Sequence, residues 1–290
     1  VKMIVKNPLG LGYMGYFFMQ PQFQTGNYVT KYVHNDILQL VLDAGIVVAV
    51  LFVIVIIKNI FSKKNGIEKR LILAIIVLHS LFDFDLQYLF MFCLLIMCLD
   101  TESDRKICID KICTLTIPTA AALASAYFAV ALFFEYAGNT KVSLALYPYN
   151  TFALETEMYS HDGKGDAEKV IRLNGMLPSA YEQAASEKID EWEYEQAEKY
   201  LSEMIKYAGY DSYYYNQAVY YYSMCLEQAV RQNDMENAKT ILEDIKNVPD
   251  IIKEKEQSAS KFAYRINDKP KIELQDDIED YIEKMSQIQL

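Results

Sequence analysis

A histidine, an amide and a carboxylate stand side by side at His34, Asn35 and Asp36, and Lys31 precedes them by three residues. A free imidazole has a pKa of about 6.5, so its neutral form accepts a proton from a hydroxyl group near pH 7. We therefore predict that His34 is a general base that accepts a proton from a hydroxyl group, with Lys31, Asn35 and Asp36 as substrate-binding residues. The alternative is that His34 is an ordinary surface residue of a loop.

A second polar group, formed by His79, Asp83 and Asp85, interrupts an apolar stretch further along the chain. His79 and Asp83 are four residues apart, about one helical turn, so the spacing predicts a His79–Asp83 pair on one face. Polar groups at a membrane boundary need such partners. We expect the pair to stabilise a turn, and we regard direct contact of these three residues with substrate as the second interpretation.

Neither a metal nor a nucleotide cofactor is predicted. The five cysteines show no Cys-x-x-Cys spacing, which argues against zinc binding and against disulfides. Gly10, Gly12 and Gly15 match the letters of the dinucleotide-binding motif, but the segment before them is too short and too interrupted by Pro8 to form a central strand. We expect these glycines to let a surface loop fold over a membrane.

The charge distribution divides the chain into two halves. Residues 1–150 carry 12 Lys and Arg against 10 Asp and Glu, whereas residues 151–290 carry 16 against 29. An acidic second half is unsuited to nucleic acid, because contacts with phosphates supply most of that affinity. We therefore exclude nucleic acid as a partner and predict a near-neutral membrane half followed by an acidic soluble half.

Four apolar segments in the first half predict a polytopic helical membrane region. A helix needs about 20 apolar residues to cross about 30 Å of hydrocarbon, and the first and last segments have that length. The two middle segments are short and are predicted to form a hairpin of helices, with one long kinked helix over 71–99 as the alternative. The membrane region covers 37–135, and its four predicted spans are 37–57, 71–82, 86–99 and 112–134.

Basic residues in two loops predict which side of the membrane each segment faces. Short loops rich in Lys and Arg stay in the cytoplasm, which places the loop of residues 1–36, the turn at Asp83 and Asp85, and everything after about Tyr136 outside. The chain is therefore predicted to be a multi-pass protein of the cell membrane with an extracytoplasmic C-terminal domain. The basic residues of the two loops are Lys58, Lys63, Lys64, Lys69 and Arg70, and Arg105, Lys106 and Lys111.

Residues 150–290 are predicted to form a soluble helical-repeat domain. Trp192–Ile205 and Asn233–Lys246 are alike, each with a small Ala near the start of an amphipathic helix, as in helix-turn-helix repeats. We predict two or three tetratricopeptide-like repeats, which makes the fold class all-α, with about four membrane spans before the repeats. Tyrosines cluster at 213–215 and 220–222, where stacking on sugar rings is one interpretation and packing between repeats is the simpler one.

Three motifs, in this order along the chain, resemble the C-terminal portion of the O-antigen ligase and polymerase family. The match covers residues 1–100, and its motifs are Asn7-Pro8-Leu9-Gly10-Leu11-Gly12, then His34-Asn35-Asp36-Ile37-Leu38-Gln39-Leu40 ending at Gly45, then His79-Ser80-Leu81-Phe82-Asp83-Phe84-Asp85.

The resemblance implies an integral membrane glycosyltransferase that assembles cell-surface polysaccharide. Such an enzyme moves a glycan from undecaprenyl diphosphate to a hydroxyl of an acceptor glycan or lipid, with inversion and without a metal. His34 matches the histidine of the family's loop, which implies that it is the base or a close assistant to it. Independently of the resemblance, we expect the groove of the repeat domain to be able to recruit a partner protein, since this is a common use of such surfaces.

The chain departs from the family pattern in its arginines. Family members bind the diphosphate with arginines upstream of the Asn-Pro-Leu-Gly segment, whereas the Arg residues of the membrane half are Arg70 and Arg105, both predicted to be cytoplasmic. We therefore expect the chain to be part of a longer protein and to be inactive alone. The alternative function is a non-catalytic membrane scaffold whose repeats recruit polysaccharide assembly or export partners.

Overall fold

The computed structural model describes residues 1–100, 111–160, 167–265 and 270–288. This described part of the chain is helical and contains no strand, which confirms the predicted all-α class. The chain divides into two compact units: an N-terminal unit of Val1–Phe23 and Tyr28–Ile107, and a C-terminal unit of Gln24–Asn27 and Cys108–Leu290.

Helices of the N-terminal unit alternate with short turns. In the described residues they are α1 (Lys2–Lys6), α2 (Gly15–Phe23), α3 (Asp36–Ala44), α4 (Ile46–Phe61), α5 (Ile67–Ser80) and α6 (Leu89–Cys98), with a 3₁₀ turn at Asp85–Gln87.

Helices α4, α5 and α6 pack around a small apolar core. The same helices also present large apolar side chains outward, among them Leu51, Ile75 and Phe90. An apolar surface of this size needs a cover of lipid or of another protein. The buried core residues are Ile56, Leu73, Ile76, Leu95 and Cys98.

The first predicted span, 37–57, is not one continuous helix. The chain breaks at Gly45, which adopts a φ of 91° between α3 and α4. Helix α3 is amphipathic and buries polar Asp36 and Gln39 along with Leu42, so it lacks the uniformly apolar surface of a span. The prediction of a single helix is therefore wrong here, because the apolar run conceals a glycine break and a polar face.

The two middle segments form the predicted hairpin of α5 and α6, so the alternative of one kinked helix over 71–99 is excluded. Their 14 and 10 residues correspond to about 21 and 15 Å of helix, less than the thickness of the hydrocarbon layer. In the described residues one stretch, Leu115–Tyr136, is long and apolar enough to cross a membrane, and α4 and α6 are shorter apolar helices. The four-span arrangement remains a prediction.

The C-terminal unit begins with the long apolar helix and continues as a series of shorter ones. The loop with Arg105 and Lys106 lies outside the described residues. The helices are α7 (Lys111–Tyr136), α8 (Thr140–Leu146), α9 (Thr151–Ser160), α10 (Ala167–Leu173), α11 (Pro178–Asp190), α12 (Tyr194–Tyr207), α13 (Ser212–Arg231), α14 (Met235–Gln257) and α15 (Asp276–Ser286).

Two helix pairs, α11 with α12 and α13 with α14, are joined by turns of the same geometry. Trp192 and Asn233 occupy equivalent positions, with φ of 63° and 60°. The Glu193 N–H donates to the Lys188 carbonyl at 2.8 Å, and the Asp234 N–H donates to the Ala229 carbonyl at 2.9 Å. Each acceptor lies five residues before its donor. Ala197 and Ala238, near the starts of α12 and α14, are fully buried. The two helix pairs therefore share one turn geometry, and their assignment to tetratricopeptide-like repeats remains a prediction.

Candidate functional site

His34 lies in the loop before α3 and faces the turn after α5. Its Nδ1 is 3.2 Å from Oδ1 of Asp83, which also accepts a hydrogen bond of 2.9 Å from the Phe84 backbone N–H. The Phe84 N–H, followed by His34, holds the pKa of Asp83 below its ordinary value. An ionised carboxylate can only accept, so in the neutral imidazole Nδ1 carries the proton and Nε2 is free to accept one.

Both members of the His34–Asp83 pair are open to solvent. The side chain of His34 is 61% exposed and that of Asp83 is 45% exposed. The imidazole ring packs edge-on against Phe84, with 5.0 Å between ring centroids, and Phe84 also contacts Tyr32 and Tyr88. The pair is thus accessible to a large substrate, while an aromatic side chain fixes the direction of the imidazole.

Asn35 fastens the start of α3 to the end of α5. Its Oδ1 caps α3 by accepting a hydrogen bond of 2.9 Å from the Leu38 N–H, and its Nδ2 donates one of 2.8 Å to the Leu81 carbonyl. An amide supplies both the acceptor and the donor, whereas an ionised Asp at this position could only accept. Asn35 therefore positions His34 and Asp83 relative to each other.

The Asp36 side chain lies in the interior of the N-terminal unit and does not face solvent, in contrast to the predicted contact with substrate. Its residue is 3% exposed, and Oδ2 accepts a hydrogen bond of 2.8 Å from the Leu86 N–H. Burial raises the pKa of this carboxyl group, and the nearby Asp85 raises it further. Oδ1 is buried without a hydrogen-bond partner among the described residues. Through its hydrogen bond with the Leu86 N–H, Asp36 therefore stabilises the turn after α5.

The predicted His79–Asp83 pair is wrong. Nδ1 of His79 lies 2.5 Å from Oδ2 of Asp85, while Asp83 faces His34. The spacing rule fails because α5 ends at Ser80, so Asp83 belongs to the turn and not to the helix face that carries His79. The turn therefore holds two His–Asp pairs, of which one bridges to the loop before α3.

Lys31 lies in the same exposed loop, and its ammonium group is 5.6 Å from the centre of the Tyr32 ring. Lys31 is three residues before His34 and lies beside the Tyr32 ring, which in turn contacts Phe84. A single ammonium in this loop can supply one positive charge to an anionic group.

Two buried glutamines that the sequence analysis missed hold the His34 loop in place. Oε1 of Gln39 accepts a hydrogen bond of 2.8 Å from the Val33 N–H, and its Nε2 donates to Asp43. Gln20 binds both backbone groups of Thr30, donating to its carbonyl at 2.7 Å and accepting from its N–H at 3.2 Å. No sequence signal indicates these contacts, because each partner is a backbone group that every residue has.

The segment Asn7–Gly12 packs its backbone directly on the break between α3 and α4. A Cβ atom built on Gly10 would lie 2.7 Å from the Asp43 carbonyl oxygen, and one on Gly45 would lie 2.7 Å from the Leu9 carbonyl. Both glycines have φ near 90°, so the conformation and the contact each require glycine. The cross-contacts are Leu11 N–H to Leu42 O at 2.6 Å, Gly12 N–H to Asp43 O at 3.0 Å and Ile46 N–H to Pro8 O at 3.0 Å.

An apolar cavity of about 290 Å³ lies beside this loop in the N-terminal unit. Val33, the residue before His34, contributes to its wall, together with Leu38 and Leu42 of α3. A cavity of this lining suits hydrocarbon better than a hydroxyl-rich glycan. Its remaining lining residues are Val1, Lys2, Met3, Ile4, Tyr16 and Phe23.

Among the described residues, no group of three or more His, Cys, Asp or Glu side chains is arranged to hold a metal ion. The chain matches no protein-family model, and comparison with curated proteins and with solved structures found no similar chain.

Proposed function

We propose that the chain is the C-terminal part of a membrane glycosyltransferase of the O-antigen ligase or polymerase type. The observation that carries this proposal is the exposed His34–Asp83 pair, formed by two polar clusters that lie 49 residues apart in sequence. The two hydrogen bonds of half-buried Asn35 and the Gln39 bond to the loop preorganise the pair. A scaffold gives no reason for such an arrangement, whereas a transferase needs a directed base.

The proposed step is attack of an acceptor hydroxyl on the anomeric carbon of a glycan linked to undecaprenyl diphosphate. Nε2 of His34 takes the hydroxyl proton as the new C–O bond forms and the bond to the diphosphate breaks with inversion. Asp83 keeps Nδ1 protonated and stabilises the imidazolium that results. Lys31 would contact a phosphate oxygen of the donor, and the apolar cavity beside Val33 would take part of its hydrocarbon chain.

The membrane arrangement belongs to the same proposal. We place α4, α5, α6 and α7 as four membrane segments. Helix α3 then lies at the outer surface of the membrane, and the turn that contains Asp83 lies on the same outer side. The outward apolar side chains of α4–α6 and the exposed surface of α7 support this placement. The repeated helix pairs of the C-terminal unit are proposed to be tetratricopeptide-like and extracytoplasmic.

The test is replacement of His34 by Ala in the organism that makes the chain, with lipid-linked and surface glycan measured together. We expect His34→Ala to slow transfer by about 10²- to 10⁴-fold, because that is the usual contribution of a general base. Lipid-linked glycan should accumulate and surface glycan should be lost at an unchanged protein level. Lys141→Ala, an exposed change in α8, is the control. An unchanged glycan profile in His34→Ala would support the scaffold instead.

A further inference from the structure

Tyrosines and carboxylates share one surface of the C-terminal unit, formed by α9, α11 and α13, which pack in that order. Tyr213 donates a hydrogen bond of 2.7 Å to Glu182 of α11. Ser179 of α11 donates one of 2.6 Å to Glu155 of α9. We call this surface the tyrosine face; its exposed or half-buried residues are Glu155, Tyr159, Tyr213, Tyr214, Tyr220 and Tyr221, and Ser179 and Glu182 are buried beneath them.

Helix α13 carries two pairs of rings on this face at a regular interval. Tyr213 meets Tyr214 edge-on at 5.2 Å between centroids, and Tyr220 meets Tyr221 in the same way at 5.3 Å. Seven residues separate the pairs, which is two helical turns and about 10.5 Å. Tyr213 is 50% exposed and Tyr220 is 52% exposed. Each pair therefore consists of one solvent-exposed ring that packs against a half-buried ring.

This chemistry is suited to sugars. The faces of tyrosine rings are apolar and fit the C–H faces of pyranose rings, while carboxylates and phenols exchange hydrogen bonds with hydroxyls. The distance between the two ring pairs is comparable to the length of two linked pyranoses. Burial raises the pKa of the Tyr159 and Tyr214 phenols, so both remain protonated hydrogen-bond donors at neutral pH.

The charge of the surface selects among glycans. Glu155 lies half-buried on the tyrosine face, and Asp190 and Asp211 lie close enough to Tyr221 and Tyr214 to interact with them electrostatically. Glu182 is buried beneath Tyr213, and burial raises the pKa of its carboxyl group, so it adds little charge to the surface. A negatively charged surface repels phosphate groups and uronic acids.

We infer that the tyrosine face binds a linear, uncharged oligosaccharide that runs along α13 and stacks on the two ring pairs. This inference rests on the proposed function for the source of the glycan, which would be the acceptor or product chain of the transferase. Bound there, a growing polysaccharide is retained by the enzyme between successive transfers.

The experiment measures binding of short fragments of the organism's surface polysaccharide to the full chain in detergent, by saturation-transfer NMR and titration. We expect binding that is insensitive to salt and that weakens about tenfold in Tyr213→Ala/Tyr220→Ala, given about 0.5–1.5 kcal/mol for each aromatic contact. Tyr264→Ala removes an equally exposed ring elsewhere in the same unit and should leave binding unchanged.

Tyr220→Ala alone separates binding from folding, because it removes an exposed ring without removing the Tyr213 hydrogen bond to Glu182. It should weaken binding about threefold or more at unchanged helix content. Glycan that fails to bind the unsubstituted chain, or that binds the double variant equally well, would overturn the inference. So would salt-sensitive binding of an oligolysine peptide alone, which would assign the face to a basic protein partner.

The two proposals fail separately. If His34→Ala abolishes transfer while the tyrosine variants bind glycan normally, the transferase stands and the tyrosine face does not. If glycan binding depends on the tyrosines while His34→Ala leaves the glycan profile unchanged, the face stands and the transferase does not.

Discussion

At the scale of residues, two His–Asp pairs meet at the turn after α5, and the exposed pair of His34 and Asp83 carries the proposed chemistry. The sequence predicts that the group at His34 and the group at His79 share one side of the membrane, and in the structure both groups contact the turn after α5. The spacing predicts the wrong pair, His79 with Asp83, because the pairing depends on where α5 ends. The spacing of four residues indicates a contact only while the chain remains helical.

The supporting residues were harder to predict than the polar cluster itself. Gln39 and Gln20 act through hydrogen bonds to backbone groups of residues 6 and 10 positions away. No spacing rule in a single sequence indicates such contacts, since the partner is a backbone N–H or carbonyl that every residue has. A buried glutamine is informative only after burial is known.

The glycines at the α3–α4 break give a residue-level prediction. Gly45→Ala places a Cβ 2.7 Å from the Leu9 carbonyl at a φ of 91°, so we expect a loss of about 1–3 kcal/mol. Gly66→Ala is the matched control, because no atom lies within 4 Å of its added Cβ. Thermal unfolding of both variants in detergent checks this. Equal midpoints for Gly45→Ala and Gly66→Ala would contradict the close packing of Asn7–Gly12 on the break.

At the scale of elements, the apolar pattern predicts the type of the helices but not their number, because it does not reveal the break at Gly45. The hairpin of α5 and α6 and the long helix α7 lie close to their predicted bounds. The first apolar run, residues 37–57, wrongly predicts one continuous helix because Gly45 lies inside it. Hydropathy alone does not indicate a helix break. The contact that makes this break necessary comes from Pro8 to Gly12, about 35 residues earlier in the sequence.

The repeated helix pairs were easier to predict, because their signal is local. A small Ala near each helix start and a similar turn before it recur in α12 and α14. Close helix packing requires the small side chain, and the left-handed turn is compatible with Asn233 at little cost. The bulkier Trp192 adopts the same left-handed conformation, which is less favourable for a large side chain. The hydrogen bonds of its turn, which match those of the turn at Asn233, stabilise this conformation.

At the scale of the whole molecule, the membrane topology is the prediction that decides where the site acts. Exposed Lys64, after α4, is placed in the cytoplasm, and exposed Ser258, after α14, is placed outside. In spheroplasts, a membrane-impermeant maleimide should label Ser258→Cys directly and Lys64→Cys only after permeabilisation. The unsubstituted chain gives the background from its own cysteines. Labelling of both variants from the same side would contradict the proposed arrangement of α4–α7.

The most direct test of the central claim is a double-mutant cycle on His34 and Asp83, with the rate of glycan transfer as the readout. If Asp83 acts only by orienting the imidazole, Asp83→Asn should slow transfer strongly in the parent protein but have no further effect in His34→Ala. The double variant should therefore transfer as slowly as His34→Ala, by about 10²- to 10⁴-fold relative to the parent. Multiplicative losses, or an Asp83→Asn variant with the parent's rate, would contradict the account of His34 as a base directed by Asp83.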